Sequence, residues 1–94
     1  MNYHWQKDSL AILDDEQKII AEIGFKMIND EQTYVVERTW VDPNTRGQGL
    51  AGKITVYFLK EVKKQAKTVL PLCPYTQAFF EKHAEYTTLL FKQP

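Results

Sequence analysis

Apolar and polar positions alternate clearly in one stretch of the first forty residues. Over residues 18–28 the apolar side chains fall mainly on one parity and the polar ones on the other, which predicts a half-buried strand. Residues 33–41 are rich in β-branched and aromatic side chains and predict a second strand, antiparallel to the first across the turn at 29–32. Two short strands, over 3–7 and 9–13, are predicted ahead of them.

The two faces of the predicted 33–41 strand are both mixed. One face carries Tyr34, Val36, Arg38 and Trp40, and the other carries Val35, Glu37, Thr39 and Val41. A strand of this kind is expected to be central, covered on one side and lining a site on the other.

The pattern changes to a helical period after the second strand. Apolar residues recur at spacings of three and four, which predicts a helix over residues 50–67 with an apolar stripe on the sheet. The stripe consists of Leu50, Ile54, Tyr57, Phe58 and Val62. Residues 68–72 then predict a buried strand parallel to 33–41, so that strand, helix and strand form a βαβ unit. Pro74 begins a short helix over 75–83, and an extended segment containing Tyr86, Leu89, Leu90 and Phe91 follows.

These elements predict an α+β domain with a mixed sheet, in which an antiparallel meander precedes the βαβ unit and a short C-terminal helix. Ninety-four residues, 44% of them hydrophobic, predict one domain over residues 1–94. Twelve basic and twelve acidic residues cancel, so no nucleic-acid partner is expected.

No apolar run approaches the length of a membrane span, and the chain starts with polar residues. We therefore expect no membrane partner and a cytoplasmic location. The single cysteine, Cys73, excludes an internal disulfide, and the distant His4 and His83 give no metal-ligand spacing, so no metal is expected.

The junction between strand and long helix carries the candidate chemistry. Gly47 and Gly49 stand there beside Arg46. The first backbone N–H groups of a helix have no intrahelical acceptor and lie at the positive end of the helix dipole. Glycine lets such amides approach an anion without a Cβ in the way. The junction therefore predicts a cradle for a pyrophosphate.

Two other phosphate motifs fit the junction poorly. Gly47, Gly49 and Gly52 match the dinucleotide fingerprint G-x-G-x-x-G, but that motif follows the first strand of a Rossmann unit and needs an acidic residue about 20 positions on. Here antiparallel strands come first, and apolar residues and a cysteine occupy those positions. A Walker loop is excluded because no Gly-Lys-Ser/Thr follows.

Read from Arg46, the junction is Arg-x-x-Gly-x-Ala, with Gly49 and Ala51 in the small-residue slots. This resembles the acetyl-CoA loop of the Gcn5-related N-acetyltransferases (GNAT). Cys73-Pro74-Tyr75 followed by Lys82-His83-Ala84-Glu85-Tyr86 resembles the closing half of very small single-domain GNAT proteins. The resemblance covers about residues 18–91.

The resemblance implies acetyl-CoA as co-substrate and an amine acceptor, which is a small molecule or a peptide. It implies that the pyrophosphate rests on the junction amides and that the pantetheine arm runs between splayed parallel strands. The cofactor-binding residues that it implies are Thr39, Trp40, Val41, Arg46, Gly47, Gln48, Gly49, Leu50, Ala51, Cys73, Lys82 and His83. We expect a monomer or a weak homodimer.

Acetyl transfer to an amine needs a neutral nucleophile, oxyanion stabilisation and a proton for the leaving thiolate. Glu37 is the nearest carboxylate for a base, or alternatively a solvated strand residue. Tyr75 is the candidate acid, or alternatively a packing partner of Phe79. Cys73 is a buried small side chain, a thiol that itself takes the acetyl group, or a wall of the pocket. Direct attack by the amine is the predicted route.

The chain has little between its first two strands that would wall an amine site. The acceptor pocket is therefore expected to be shallow, to be made by a second subunit, or to be filled by an extended substrate. The same shortage supports an alternative function, a CoA or acyl-CoA-binding module or sensor without efficient turnover.

Overall fold

The computed structural model describes residues 2–92 and contains one five-stranded sheet in the order β1-β2-β3-β4-β5. The strands are β1 Asn2–Gln6, β2 Ser9–Leu13, β3 Ile19–Ile28, β4 Thr33–Val41 and β5 Thr68–Pro71. Neighbours from β1 to β4 are antiparallel, and β5 is parallel to β4. The predicted α+β class, with a meander ahead of a βαβ unit, is confirmed.

Two α-helices follow the meander, α1 at Leu50–Lys64 and α2 at Pro74–Lys82. The structure ends α1 three residues before the predicted limit. Ala66 there takes a left-handed φ of 58°, and the amide of Lys67 bonds the carbonyl of Val62. This is the Schellman arrangement, which usually needs glycine and is therefore hard to predict when alanine takes its place.

The prediction of an extended segment near the C-terminus is wrong for Ala84–Leu89, because these residues form a 3₁₀ helix. Tyr86 and Leu89, its more buried apolar residues, are three apart, which is the period of that helix and not of a strand. Only the end of the segment is extended, where Leu90 bridges Val69 of β5.

A β-bulge divides β4 and overturns the predicted faces. Ile23 of β3 lies opposite Thr39, whereas Phe25 lies opposite Val36. Since Ile23 and Phe25 share one face, Val36 and Thr39 must also share it, and Glu37 is the extra residue that makes this possible. A bulge adds one residue to a strand without changing the amino-acid composition of the strand. The alternation of apolar and polar residues therefore does not reveal it.

The hydrophobic core lies on one face of the sheet, which α1, α2 and the 3₁₀ segment cover. Its centre is an aromatic group in which Phe58 of α1 meets Trp5, Phe25 and Tyr34. None of the residues on the opposite face belongs to this core, and none of the described helices packs there. We call this the helix-free face. Within residues 2–92, no helix is both long and apolar enough to cross a membrane.

Candidate functional site

The parallel strands β4 and β5 separate at the bulge. Their register runs from Thr33 opposite Thr68 to Val36 opposite Pro71, where β5 ends. The amides of Leu72 and Cys73 both donate to the carbonyl of Val36, which closes the paired region. Beyond this point β4 continues to Val41 without a β5 partner. The edge of β4 from residue 37 to residue 41 therefore offers backbone groups to an extended ligand.

The glycine junction leads from this open edge into α1. Gly47 and Gly49 have φ values of 92° and 70°, which side-chain-bearing residues rarely adopt. A Cβ added to either glycine would meet no atom within 4 Å, so the space in front of the loop is open. Gly49 is the N-cap of α1, and neither a capping side chain nor an acidic residue satisfies the first turn. The helix therefore begins with amides that are free for an anion.

Asp42 fixes the start of the junction. Its Oδ1 accepts a hydrogen bond of 3.0 Å from the amide of Asn44, and the carbonyl of Asp42 accepts from the amide and hydroxyl of Thr45. Lys18 Nζ lies 2.9 Å from Oδ2 as an ion pair. Asp42 is 5% exposed. The amide of Asn44, followed by Lys18, lowers the pKa of the Asp42 carboxyl.

A cavity of about 330 Å³ joins these parts. Its walls come from three elements that the sequence separates widely: the end of β4, the junction with the start of α1, and the start of α2. The lining residues are Thr39, Val41, Arg46, Gly47, Gly49, Leu50, Ala51 and Tyr75. The fold thus brings together most of the residues predicted for a pyrophosphate and an adjoining extended arm.

Cys73 closes the gap between the separated strands. It is 5% exposed and is the N-cap of α2, and its Sγ lies 3.5 Å from Thr39 Oγ1. Burial raises the pKa of the thiol, but hydrogen bonds from Thr39, Thr76 and the Tyr75 amide outweigh burial and leave the pKa below its ordinary value. The Thr76 hydroxyl is buried, and among residues 2–92 the Cys73 sulfur is the group to which it can donate.

Tyr75 stands between two cavities, since it lines both the one described above and a second of about 310 Å³. Burial, followed by the charge of Cys73, raises the pKa of Tyr75 above its ordinary value. The phenol therefore keeps its proton at neutral pH and is a possible donor. The expected packing against Phe79 is also present, with ring centroids 6.4 Å apart.

The second cavity contains Lys82 and His83 and lies between α1 and α2. His83 stacks on Phe79 with ring centroids 4.1 Å apart. It is also the C-cap of α2, and its amide donates to the carbonyl of Phe79. His83 therefore both caps α2 and lines the cavity.

Besides Cys73, Lys82 and His83, three more predicted residues do not line the first cavity with their side chains. Glu37 lies at the bulge, and its carboxylate is 3.4 Å from Lys26 Nζ. Trp40 is on the helix-free face and 42% exposed, so only its backbone belongs to the open edge. Gln48 is exposed. Lys26 alternates with two core-facing residues of β3, which places its contact with Glu37 on the helix-free face.

Sequence reasoning missed Asp42 and Thr76. Asp42 could have been found, because an aspartate directly before proline is a common cap at the start of a helical turn. Thr76 gives no sequence signal, since only the fold shows that its hydroxyl is buried beside Cys73. Within residues 2–92, no group of three or more His, Cys, Asp or Glu side chains is arranged to hold a metal ion.

The fold and site define an α+β protein in which a glycine junction with free helix-start amides faces a pair of separated parallel strands. The family model of the GCN5-related N-acetyl-transferases matches residues 9–89, most of the chain. The chain belongs to this family. A comparison with curated protein sequences finds no match.

Solved structures agree with this assignment. A GCN5-like protein from Staphylococcus aureus has a TM-score of 0.74 at 19% identity, covering 99% of this chain and 90% of that one. Tetrahymena GCN5 has a TM-score of 0.65 at 21% identity, covering 92% and 61%. A GNAT-family N-acetyltransferase, YhbS from Escherichia coli, solved in complex with CoA, has a TM-score of 0.58 at 28% identity, covering 68% and 38%.

The family and the fold support acetyl transfer in general, with CoA as the carrier. The chain spans nearly all of the Staphylococcus aureus protein but under two thirds of the other two. The acceptor and the chemical route of this chain are therefore matters for proposal.

Proposed function

We propose that this chain is an acetyl-CoA-dependent N-acetyltransferase that transfers the acetyl group to an amine by direct attack. One observation carries the proposal: the 330 Å³ cavity places free helix-start amides next to the unpaired edge of β4. The helix-start amides suit an anion, and the unpaired strand edge suits an extended arm that contains amides. Acetyl-CoA contains both, and it supplies an activated acyl group when bound.

The residues present suit this co-substrate. Arg46 and the amides of Gly47, Gly49 and Ala51 would hold the diphosphate, because nothing fills the space where a glycine Cβ would stand. The open edge near residues 39–41 would pair with the pantetheine amides. Lys82 and His83 would hold the adenosine 3′-phosphate end in the second cavity, next to the first cavity, since Tyr75 lines both.

The helix-free face is the proposed side of amine entry. The junction, α1 and Tyr75 occupy the other side of the gap between β4 and β5. Glu37 lies at the start of the gap on the helix-free face, where its carboxylate is partly exposed beside Lys26. It would take the proton of the incoming ammonium group through a water molecule, so that the neutral amine attacks.

Proton balance at the thioester assigns a role to Tyr75. Attack by the amine nitrogen forms the amide C–N bond and breaks the thioester C–S bond. The departing thiolate takes a proton from the Tyr75 hydroxyl, and the proton that the nitrogen loses on becoming an amide restores that hydroxyl through water. The raised pKa of Tyr75 keeps that proton in place until it is needed. Backbone amides on the open edge of β4 would stabilise the oxyanion.

Cys73 has the features of a pocket wall and of a reactive thiol. Its lowered pKa favours the thiolate, yet the direct route needs no acyl-cysteine. Cys73→Ser keeps the size and polarity of the side chain, so we expect turnover to fall less than about tenfold. A different result would support a two-step route through Cys73. In that case intact mass would show an acetyl group on the wild-type protein, and Cys73→Ser would lose both this adduct and all turnover.

The decisive experiment is thiol release from acetyl-CoA with a panel of amines. The panel contains polyamines, small primary amines, lysine peptides and peptides with a free N-terminus. We expect at least one amine to raise thiol release above hydrolysis and to gain one acetyl group by mass. Tight CoA binding without release for any amine would instead support a CoA-binding module or sensor, which the scarcity of acceptor walls also favours.

A further inference from the structure

A third cavity, of about 490 Å³, lies on the outer side of α1. Its floor is a pair of stacked rings, Tyr3 of β1 and Tyr57 of α1, whose centroids are 3.8 Å apart. Lys53 and Lys60 stand at its sides. The groove reaches Gly49 at the start of α1, but its rings and lysines take no part in the chemistry described above. We call it the lysine groove.

Charge is distributed unevenly around the lysine groove. The whole chain is formally neutral, yet α1 carries four lysines and a single acidic residue, Glu61. Glu61 pairs with Lys64 at 3.1 Å. Among residues 2–92, Lys53 and Lys60 have no carboxylate within ion-pair distance. Because Lys53, Lys60 and Lys64 are spaced by seven and four, they lie along one side of the helix.

Helix stability does not account for the lysines of the groove. Lys63 and Lys64 are in the last turn of α1, where cations interact favourably with the helix dipole. Lys53 is near the first turn, where a cation is unfavourable, and Lys60 is in the middle. The groove therefore carries two uncompensated cations on either side of an apolar floor.

We infer that the lysine groove is a docking site for an acidic protein segment with an apolar side chain between its carboxylates. Seven helical residues separate Lys53 from Lys60 by about 10 Å. In an extended chain the side chains at i, i+2 and i+4 share one face and span about 13 Å, which the long lysine side chains can reach. Two carboxylates spaced in this way reach both lysines while one apolar side chain enters the groove. Charge complementarity of this kind gives specificity and fast association.

Other anionic partners fit less well. The two tyrosine rings stack on each other, so they leave no slot in which a base could stack between them, and no arginine lines the groove. The large exposed apolar residues are Ile28, Trp40, Leu72 and Tyr75. None of them lines the groove, so it has no side chains to insert into a lipid surface.

The test is fluorescence anisotropy of the full chain with a short labelled oligoglutamate peptide that contains one central phenylalanine. Lys60→Glu combined with Lys64→Glu should weaken binding at least about tenfold, since attraction becomes repulsion. Lys7→Glu combined with Lys92→Glu makes the same change of net charge away from α1. This control should stay within about twofold of wild type.

A second comparison isolates the floor of the groove. Oligoglutamate without phenylalanine should bind several-fold more weakly than the phenylalanine peptide, and Tyr57→Ser should remove that difference. CoA affinity should be unchanged in the Lys60 and Lys64 variant. The docking inference and the proposed acetyltransferase function can therefore fail independently of each other. The inference is overturned if the wild type does not bind the peptide, if both double variants lose binding equally, or if oligothymidylate or phosphatidylserine vesicles bind these lysines more tightly than the peptide.

Discussion

The two halves of β4 have different tasks. Residues 33–36 are buried, pair with β3 on one side and with β5 on the other, and lie against the aromatic core. Residues 38–41 pair only with β3, half of them are exposed, and Thr39 and Val41 border the cavity. The bulge at Glu37 is the boundary between them. One strand thus holds the fold together at one end and presents a binding edge at the other.

The comparison teaches how so small a domain can keep an open site. An unpaired strand edge leaves backbone groups without partners, and its cost must be met by contacts elsewhere. Here the first half of β4 and the α1 face supply those contacts. If this division is correct, substitutions around residues 33–36 should affect stability, whereas substitutions around residues 37–51 should affect ligand binding and rate.

The largest expected effect is on stability, in Phe58→Ala. Phe58 is 1% exposed and contacts the rings of Trp5, Phe25 and Tyr34. Its removal leaves a cavity under the first half of β4 and should lower the free energy of unfolding by about 3–5 kcal/mol. Urea unfolding followed by circular dichroism measures this. Thr39→Ala, in the second half, is the matched control and should cost less than about 1 kcal/mol; equal losses would contradict the division.

The next effect is on CoA binding, in Gly49→Val. A β-branched side chain would place its Cβ in the space before the helix amides and would be strained at a φ of 70°. We expect CoA affinity by titration calorimetry to fall about a hundredfold, because the loss of several charge-assisted hydrogen bonds costs that much.

Gly52→Ala is the control for Gly49→Val. It adds a Cβ on the same helix end at an ordinary 3.9 Å from the Tyr75 hydroxyl and needs no unusual φ. Its CoA affinity should stay within about threefold of wild type. Both variants must give native circular dichroism spectra. Wild-type CoA affinity in a folded Gly49→Val protein would refute the placement of the diphosphate.

A smaller effect is expected on the rate, in Tyr75→Phe. The substitution removes the proposed acid but keeps the ring that packs near Phe79. Since a thiolate is a fair leaving group even without protonation, we expect kcat to fall about tenfold with the KM for acetyl-CoA unchanged. Steady-state thiol release measures both constants. A rise in KM at constant kcat would make Tyr75 a binding residue instead.

Much of the fold was predictable, because strong alternation and a long apolar stripe determine the meander and α1. The predicted bounds of β2 and β4 agree with the structure. The bulge at Glu37 and the left-handed Ala66 were not predictable from this sequence, since neither position has the glycine that usually marks such a conformation. The faces of β4 and the end of α1 were therefore wrong.

The sequence predicts one part of the site, the glycine junction, better than the other part, the surroundings of Cys73. The small-residue spacing from Arg46 to Ala51 already indicates free helix-start amides, and the cavity includes these residues. The surroundings of Cys73 depend on Thr39 and Thr76, which are far apart in sequence and meet only in the fold. Single-sequence patterns contain no information on such contacts. The predicted placement of Glu37 on the same face as Thr39 was therefore wrong, while its role as a base stays a proposal.

The smallest effect is expected at Asp42, which positions the junction. Asp42→Asn keeps an oxygen for the Asn44 amide but loses the ion pair with Lys18, and Asp42→Ala loses both. The KM for acetyl-CoA should rise about twofold in Asp42→Asn and about fivefold in Asp42→Ala, with kcat nearly unchanged, because a looser junction binds the diphosphate less well. A change in kcat alone would contradict a positioning role.

The pH dependence of stability provides a second readout for Asp42. The folded-state pKa of this carboxyl is lowered, so its contribution is fully present above the unfolded pKa of about 4 and is lost as the pH falls through the lower folded value. The pKa of Lys18 is raised, first by its contact with Asp42, so the contribution of Lys18 is lost only at strongly alkaline pH. The urea midpoint of the wild type should therefore exceed that of Asp42→Asn at neutral pH, and the two should converge in acid. A difference that persists below about pH 2 would show that the charge of Asp42 is not what stabilises the junction.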